Sequence, residues 1–450
     1  MSKHLKVLIS IICILALSGC SFQASNAPGE SDERAAAEMT SVNDGSVKVA
    51  SDAGGQTADI PGNSVASAQA ASVEVASAEA SLASSPKEDS ATLQKEQSSD
   101  VTLLMVGDIL LHEPVQRVAK DAEGNYNYDF IFEHVKPKMQ AADVAIVNQE
   151  VIIGGKELGV SGYPMFNAPY EAGDALVEAG VDVVCHATNH SLDMGKKGII
   201  NCYEFWKQRY PQIKVVGLNG FEYEYENIDI IEKNGIKIAI LNYSYGTNGI
   251  AFPKDMPHAV DMLEKDKVEK DLKYTEENAD FTLVIPHWGT EYNLGTDAYQ
   301  EYWTGIFREG GADLVIGAHP HVIEPVEMLE DENTGITNNH GGGDMLVYYS
   351  LGNFVSWTSS TGKGVSNRSV GGMAKVTITK NASGEAVIKD HEVEAVVCHE
   401  SSKEHGVTVY PLSEYSEDLA KENEIKLQDS SFTMQYCVDL CDKVWGHDWK

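Results

Sequence analysis

Short apolar runs that all end in the same manner recur along this chain from residue 101 onward. The run 101–106 leads into Gly107-Asp108, 142–147 into Asn148-Gln149-Glu150, and 181–184 into His186 and Thr188-Asn189-His190. Farther on, 281–285 leads into His287-Trp288-Gly289, 314–316 into Gly317-Ala318-His319-Pro320-His321, and 345–349 into Ser350-Leu351-Gly352-Asn353. Runs of this length, closed by turn residues, predict strands buried on both faces. Amphipathic stretches fall between several of them, at 170–179, 198–209, 260–275 and 298–309, and predict helices. Alternating strands and helices predict an α/β domain. Two segments break the alternation. Residues 228–231 and 236–241 flank Asn234-Gly235, and 374–378 and 386–397 flank Asn381-Ala382-Ser383-Gly384, so each predicts a β-hairpin. The sheets are therefore mixed. Ligands of such sheets gather beyond the carboxyl ends of strands, where these six runs carry their polar residues.

The pattern outside this region is different. Residues 21–100 are dominated by Ala, Ser, Gly and acidic residues, with Phe22 the only aromatic. Such a segment buries too little apolar surface to offset its ordering entropy, which predicts a disordered tether. Eighty flexible residues reach on the order of 50 Å. Ahead of it, Lys3, His4 and Lys6 precede an apolar run at 7–16, too short to span a bilayer. Leu17-Ser18-Gly19-Cys20 follows and resembles a bacterial lipobox. That resemblance implies a signal peptide at 1–20, lipidation of Cys20, and an address on the extracytoplasmic face of the cell membrane. No later stretch is apolar enough to cross a membrane, so the lipid is the expected anchor, and which membrane receives it stays open. The organisation expected is thus a signal peptide (1–20), a tether (21–100), a folded domain (101–400) and an acidic helical extension packed on it (401–450).

Charge narrows the partners. The 450 residues carry 34 basic and 68 acidic side chains, a formal net charge of −34. That excludes a nucleic-acid surface and electrostatic docking on anionic lipid. Seven cysteines are too few for a disulfide scaffold. Five follow Cys20, so at least one stays unpaired; Cys437 and Cys441 are one helical turn apart, as a bridge or as two buried thiols.

The chemistry-bearing residues at the strand ends are Asp108, Glu150, Asn189, His190, His287, His319 and His321. Carboxylate, amide oxygen and imidazole together make the ligand set of Mn, Fe or Zn. In His319-Pro320-His321 the two histidines are i and i+2, so an extended strand end would turn them the same way. Glu291, four after His287, is a supporting or substrate-facing carboxylate, and Asp193 either orients His190 or caps a helix. His186 reads as a buried structural histidine. Asn353 fits a site or a turn. Tyr292, Tyr299, Tyr302 and Trp303 read as packing rather than as a substrate platform.

Val106-Gly107-Asp108, Asn148-Gln149-Glu150, Ala187-Thr188-Asn189-His190, His287-Trp288-Gly289, Gly317-Ala318-His319-Pro320-His321 and Ser350-Leu351-Gly352-Asn353-Phe354 resemble, in order, the motifs of the CapA family of poly-γ-glutamate capsule synthesis proteins. That family is similar to the calcineurin-like metallophosphatases. The resemblance implies a metallophosphatase-like β-sandwich of mixed sheets flanked by helices, with one or two divalent ions. It implies Asp108 as the metal-binding aspartate of the first motif, Glu150 as bridge, Asn189 as the amide ligand, His321 on the first ion, His287 and His319 on the second, and His190 as acid or oxyanion stabiliser. One position departs. Metallophosphatases usually place His two residues after the first Asp, where this chain has Leu110; His112 lies two farther on. The function implied is a metal-dependent enzyme of polymer assembly or export, working beside a membrane polymer synthase on an anionic surface polymer. Two alternatives are a non-catalytic accessory subunit that guides the polymer and a hydrolase of another surface polymer. A chain this acidic repels such a polymer, so local groups have to overcome the repulsion.

Overall fold

Leu103 and Met105 of strand β1 (Val101–Ile109) join one hydrophobic core, while Leu104 and Val106 between them join another. Successive side chains leave a strand on opposite faces, so an unbroken apolar run has to be covered on both. The computed structural model describes residues 100–220, 227–330, 344–402, 406–447 and 449. The signal peptide, Cys20 and all of the expected tether except Asp100 lie outside the described residues.

One mixed sheet runs in the order β14-β13-β12-β1-β2-β3-β4. Its further strands are β2 (Val144–Asn148), β3 (Val183–Cys185), β4 (Lys214–Val216), β12 (Val370–Lys380), β13 (Ala386–His399) and β14 (Thr408–Pro411). β1 through β4 are parallel, and β12 lies antiparallel on the other side of β1. A short strand, β11 (Asn353–Val355), pairs parallel with the last residues of β1, Asp108 opposite Asn353. The second sheet holds β5 (Asp229–Lys233), β6 (Ile236–Ser244), β7 (Phe281–His287), β8 (Leu314–Ile316), β9 (Val326–Leu329) and β10 (Met345–Tyr348). Its order is β5-β6-β7-β8-β10-β9, parallel from β6 to β10 with antiparallel edges. Leu103, Met105 and Ile146 of the first sheet pack with Ile238, Leu283 and Ile285 of the second. The architecture is thus the expected sandwich of mixed sheets.

Helices cover the outer faces. α1 (Glu113–Val118), α2 (Lys136–Ala141), α3 (Tyr170–Ala179) and α4 (Gly195–Arg209) lie along the stretch that covers the first sheet, with Leu176, Ile199 and Trp206 against Val106, Val147 and Val184. α5 (Lys265–Asn278) and α6 (Ala298–Glu309) cover the second, with Leu272 and Phe307 against Val284 and Val315. α7 (Glu417–Glu422) and α8 (Met434–Trp445) pack on β13 through Ala395 and Val397. Among the described residues no helix is long and apolar enough to cross a membrane. The helix expected over 260–275 begins only at Lys265. Residues 260–262 are spent on pairing instead, Val260 bridging Leu218 and the Asp261 carbonyl accepting from Ser244 N. Both hairpins form, and Asn234 and Gly235 take the positive φ angles (+49° and +77°) that a tight primed turn requires. Cys437 is a free thiol, so no bridge joins it to Cys441.

Glu324 is buried below the sheet ends, where Oε2 accepts from Gln300 Nε2 (2.6 Å) and Oε1 has no partner. Burial pushes its carboxyl up to about 8, against the opposing Gln300 bond. An acid whose folded value is raised keeps its proton where the unfolded chain has lost it, so stability falls as pH rises between those values. We expect wild-type stability to drop by roughly 2–3 kcal/mol between pH 5 and 7 on this account. Glu324→Gln should flatten that slope in urea unfolding at stepped pH.

Candidate metal centre

β1, β2, β7 and β8 all point their carboxyl ends at one place, and residues at or just past those ends meet there. Asp108 is held first. Its backbone N donates to Gly352 O (2.9 Å), and its side chain accepts from Asn148 Nδ2 (2.8 Å) and from His319 N (3.2 Å). Gly107 makes this approach feasible, because a Cβ there would lie 1.9 Å from Gly352 O. His321 Nδ1 lies 3.2 Å from Asp108 Oδ2 and 3.1 Å from Asn353 Oδ1. His287 Nε2 lies 3.0 Å from Asn189 Oδ1.

Glu150 stands between these groups. Its Oε1 is 3.7 Å from His287 Nε2 and 3.7 Å from His321 Nε2, and both carboxylate oxygens are buried without a hydrogen-bond partner. Two ligand triads share it: Asp108, Glu150 and His321, and Glu150, His287 and His319, each with ligand atoms within 4.8 Å of one another. His319 Nδ1 is also buried without a partner. Orphaned carboxylate and imidazole atoms that converge in a buried place are costly unless something cationic joins them. The donor set therefore fits divalent ions, one per triad. Electrostatics agree. Burial, with the neighbouring histidines adding, holds His287 well below the usual imidazole range, and burial does the same to His319, so both are neutral, the form in which an imidazole can ligate. Burial would lower His321 too, but Glu150 and Asp108 override it and raise it to about 9. Burial pushes the Glu150 carboxyl well up, with Asp108 adding and His321 opposing.

The histidine pair departs from expectation in one respect. β8 stops at Ile316, and His319 and His321 take positive φ angles of +99° and +59° instead of extending it. They face one site because the chain curls around it, at a conformational cost of about 1–3 kcal/mol per residue. His190 is placed by Asp193, whose Oδ2 lies 2.7 Å from His190 Nδ1 and also accepts from Phe166 N. Glu291 is exposed at the mouth and forms a third cluster with His319 and His321. His112 joins none of these clusters; Ser356 Oγ and Trp357 N lie 3.4 Å from its Nδ1, and Leu110 is packed in the core. His186 accepts from Trp206 Nε1 and is structural. Trp303 packs as expected, but Tyr299 and Tyr302 are exposed on α6, and Tyr292 lies 44% exposed with its ring 6.0 Å from His321. Two site neighbours escaped the sequence reading. Asn248 lies 3.4 Å from His190 Nδ1 and accepts from Asn189 Nδ2, and the Tyr245 ring is 4.5 Å from that of His319. Both follow β6, whose polar end repeats the pattern of the other strands.

Residues 102–358, more than half of the chain, match the family model described as "Bacterial capsule synthesis protein PGA_cap". The chain belongs to this family. Within it, the chain is 28% identical over 284 residues to the "Capsule biosynthesis protein CapA" of Bacillus anthracis, covering 60% of this chain and 64% of that one. It is 27% identical over 279 residues to the "PGA biosynthesis protein CapA" of Bacillus subtilis (strain 168), covering 59% and 66%. The match thus spans just under two thirds of each relative. Among solved structures, the NAD nucleotidase of Haemophilus influenzae aligns with 78% of this chain and 64% of its own, at 12% identity and a TM-score of 0.42. A likeness that loose says nothing about chemistry. The capsule synthesis match encloses every triad residue, from Asp108 to His321.

Proposed function

We propose that this protein is a lipid-anchored, extracytoplasmic component of poly-γ-glutamate capsule biogenesis with a metal-dependent, phosphatase-like hydrolytic site, acting beside a membrane polymer synthase. The observation that carries the metal reading is Glu150, buried, unpartnered and common to both triads. Asp108, Glu150 and His321 would hold one ion; Glu150, His287 and His319, with Asn189 beside them, would hold the other. Such a pair supplies activated water and polarises a carbonyl or phosphoryl oxygen. The chain's own residues do the rest. With Nδ1 tied to Asp193, His190 has Nε2 to exchange a proton with a leaving group. The address rests on residues 1–20 and the polymer on the relatives' names.

The test is metal analysis of the full chain after reconstitution with Mn, Fe or Zn, followed by turnover on phosphoester and γ-glutamyl chromogenic substrates. Two ions per chain with turnover are expected; no retained ion sinks the reading. Asp193→Asn should keep the metal count and lower turnover roughly 10- to 100-fold, because a histidine loses its orienting carboxylate. A second reading, an accessory subunit without catalysis, draws on Leu110, which packs in the core where metallophosphatases usually have a histidine. A full metal load without turnover on any substrate would favour it.

A further inference from the structure

Carboxylates crowd the metal centre: Asp108, Glu150 and Glu291 in its clusters, and Asp193 beside His190. A cation stands beside them. The Arg368 guanidinium carbon lies 3.5 Å from the centre of the Tyr292 ring, the same ring that lies 6.0 Å from His321. The arginine is built in place from three sides. Its Nη1 donates to Thr358 Oγ1 (3.3 Å) and Ser360 Oγ (3.2 Å). Its carbonyl accepts from Asn353 Nδ2 (3.0 Å), and the other end of that amide, Oδ1, lies 3.1 Å from His321 Nδ1. Tyr292 is itself held at a positive φ of +66°. Among the described residues Arg368 makes no ion pair, whereas Arg117 pairs with Glu113 and Arg209 with Asp174. A guanidinium held by hydroxyls and a ring, with charge unmatched and further N–H donors to spare, suits a planar or tetrahedral oxyanion.

We propose that Arg368, stacked on Tyr292, forms a subsite for an anionic oxygen group of the substrate, a carboxylate or a phosphate. This rests on the metal-centre reading above and adds the substrate class to it. It also meets the charge problem posed by a net −34. The whole chain repels a polyanion, but a single fixed cation at the mouth takes one anionic group at a time and sets it beside the ions. Tyr292 is then part of the substrate surface and not of the packing.

The experiment is calorimetric titration of inorganic phosphate and, separately, of glutarate into the full chain loaded with manganese, with manganese counted per chain in every sample. Arg368→Gln should weaken the anion that the wild type binds by about tenfold or more, with manganese unchanged. Arg368→Lys should fall between, since it keeps the charge and loses the fork. Tyr292→Ala, which removes the ring that holds the guanidinium, should weaken the same anion with manganese unchanged. The preferred anion tells carboxylate from phosphate. The proposal is overturned if Arg368→Gln binds like the wild type, if the wild type binds neither anion, or if Arg368→Gln loses manganese, which would make Arg368 part of the frame. A wild type that holds no manganese sinks the metal reading instead, and the same comparison on that metal-free chain still decides Arg368.

Discussion

A His319→Ala, His321→Ala double variant of the full chain should lose both ions while its secondary structure persists. Each histidine serves a different triad, so the pair strips one ligand from each, and two ligands do not retain a divalent ion against water. The single variants should separate. His319 has a buried Nδ1 without a partner, so His319→Ala removes an unsatisfied group and should leave the metal-free chain about as stable as before. His321 is the counter-charge to Asp108 and Glu150, with its Nδ1 3.2 Å from Asp108 Oδ2. Removing it leaves buried carboxylates facing one another, at a cost of roughly 3 kcal/mol or more. Elemental analysis with urea unfolding in chelator reads both quantities. Two ions retained by the double variant would show that the triads are not the binding site.

Gly107→Ala should destabilise the domain by about 3–5 kcal/mol and lower its Tm by roughly 4–7 °C. A Cβ at Gly107 would meet Gly352 O at 1.9 Å, Gly352 C at 3.0 Å and Leu351 O at 3.2 Å. All three are backbone atoms, so no rotamer relieves the clash. β11 would have to move off β1, and Asp108, whose N donates to that same Gly352 carbonyl, would move with it. Metal affinity should therefore fall together with Tm. Gly305→Ala in α6 is the control, since its Cβ meets nothing within 4 Å. It should stabilise by about 0.5–1 kcal/mol. Thermal unfolding of the three proteins checks both signs, and an unchanged Tm in Gly107→Ala would refute the close approach.

Much of this layout was legible in the chain because both causes are local. A strand buried on two faces needs an unbroken apolar run, and a site at strand ends needs polar residues directly after it. Asp108, Glu150, Asn189, His287, His319 and His321 all obey that rule, and the structure brings them together. Arg368 could not be found this way. It sits on a short turn at Val365–Ser369 and reaches the centre only because β11 docks on β1. Tyr292 misled for a related reason. The aromatic spacing that suits helix packing describes the buried Trp303 of α6, with Tyr299 and Tyr302 exposed beside it, whereas Tyr292 lies before that helix and turns to the site. The helix start at 260 failed because three residues of good amphipathic pattern were claimed by pairing with distant backbone, an outcome no window of sequence contains.

The pairing of β1 has a consequence in time. Leu103 lies opposite Val376 and Asp108 opposite Asn353, so the earliest strand of the domain is finished by some of its latest residues. A nascent chain emerges from its amino end, and contacts this remote in sequence close slowly. Until residues 353–376 are free to pair, β1 has β2 as its neighbour and no strand on the other side. The carboxylate at the end of β1 waits for less: its partners His319, Gly352 and Asn353 all precede residue 376. The centre becomes complete only once His321, 213 residues after Asp108, has been made, well before the last strands and helices of the domain.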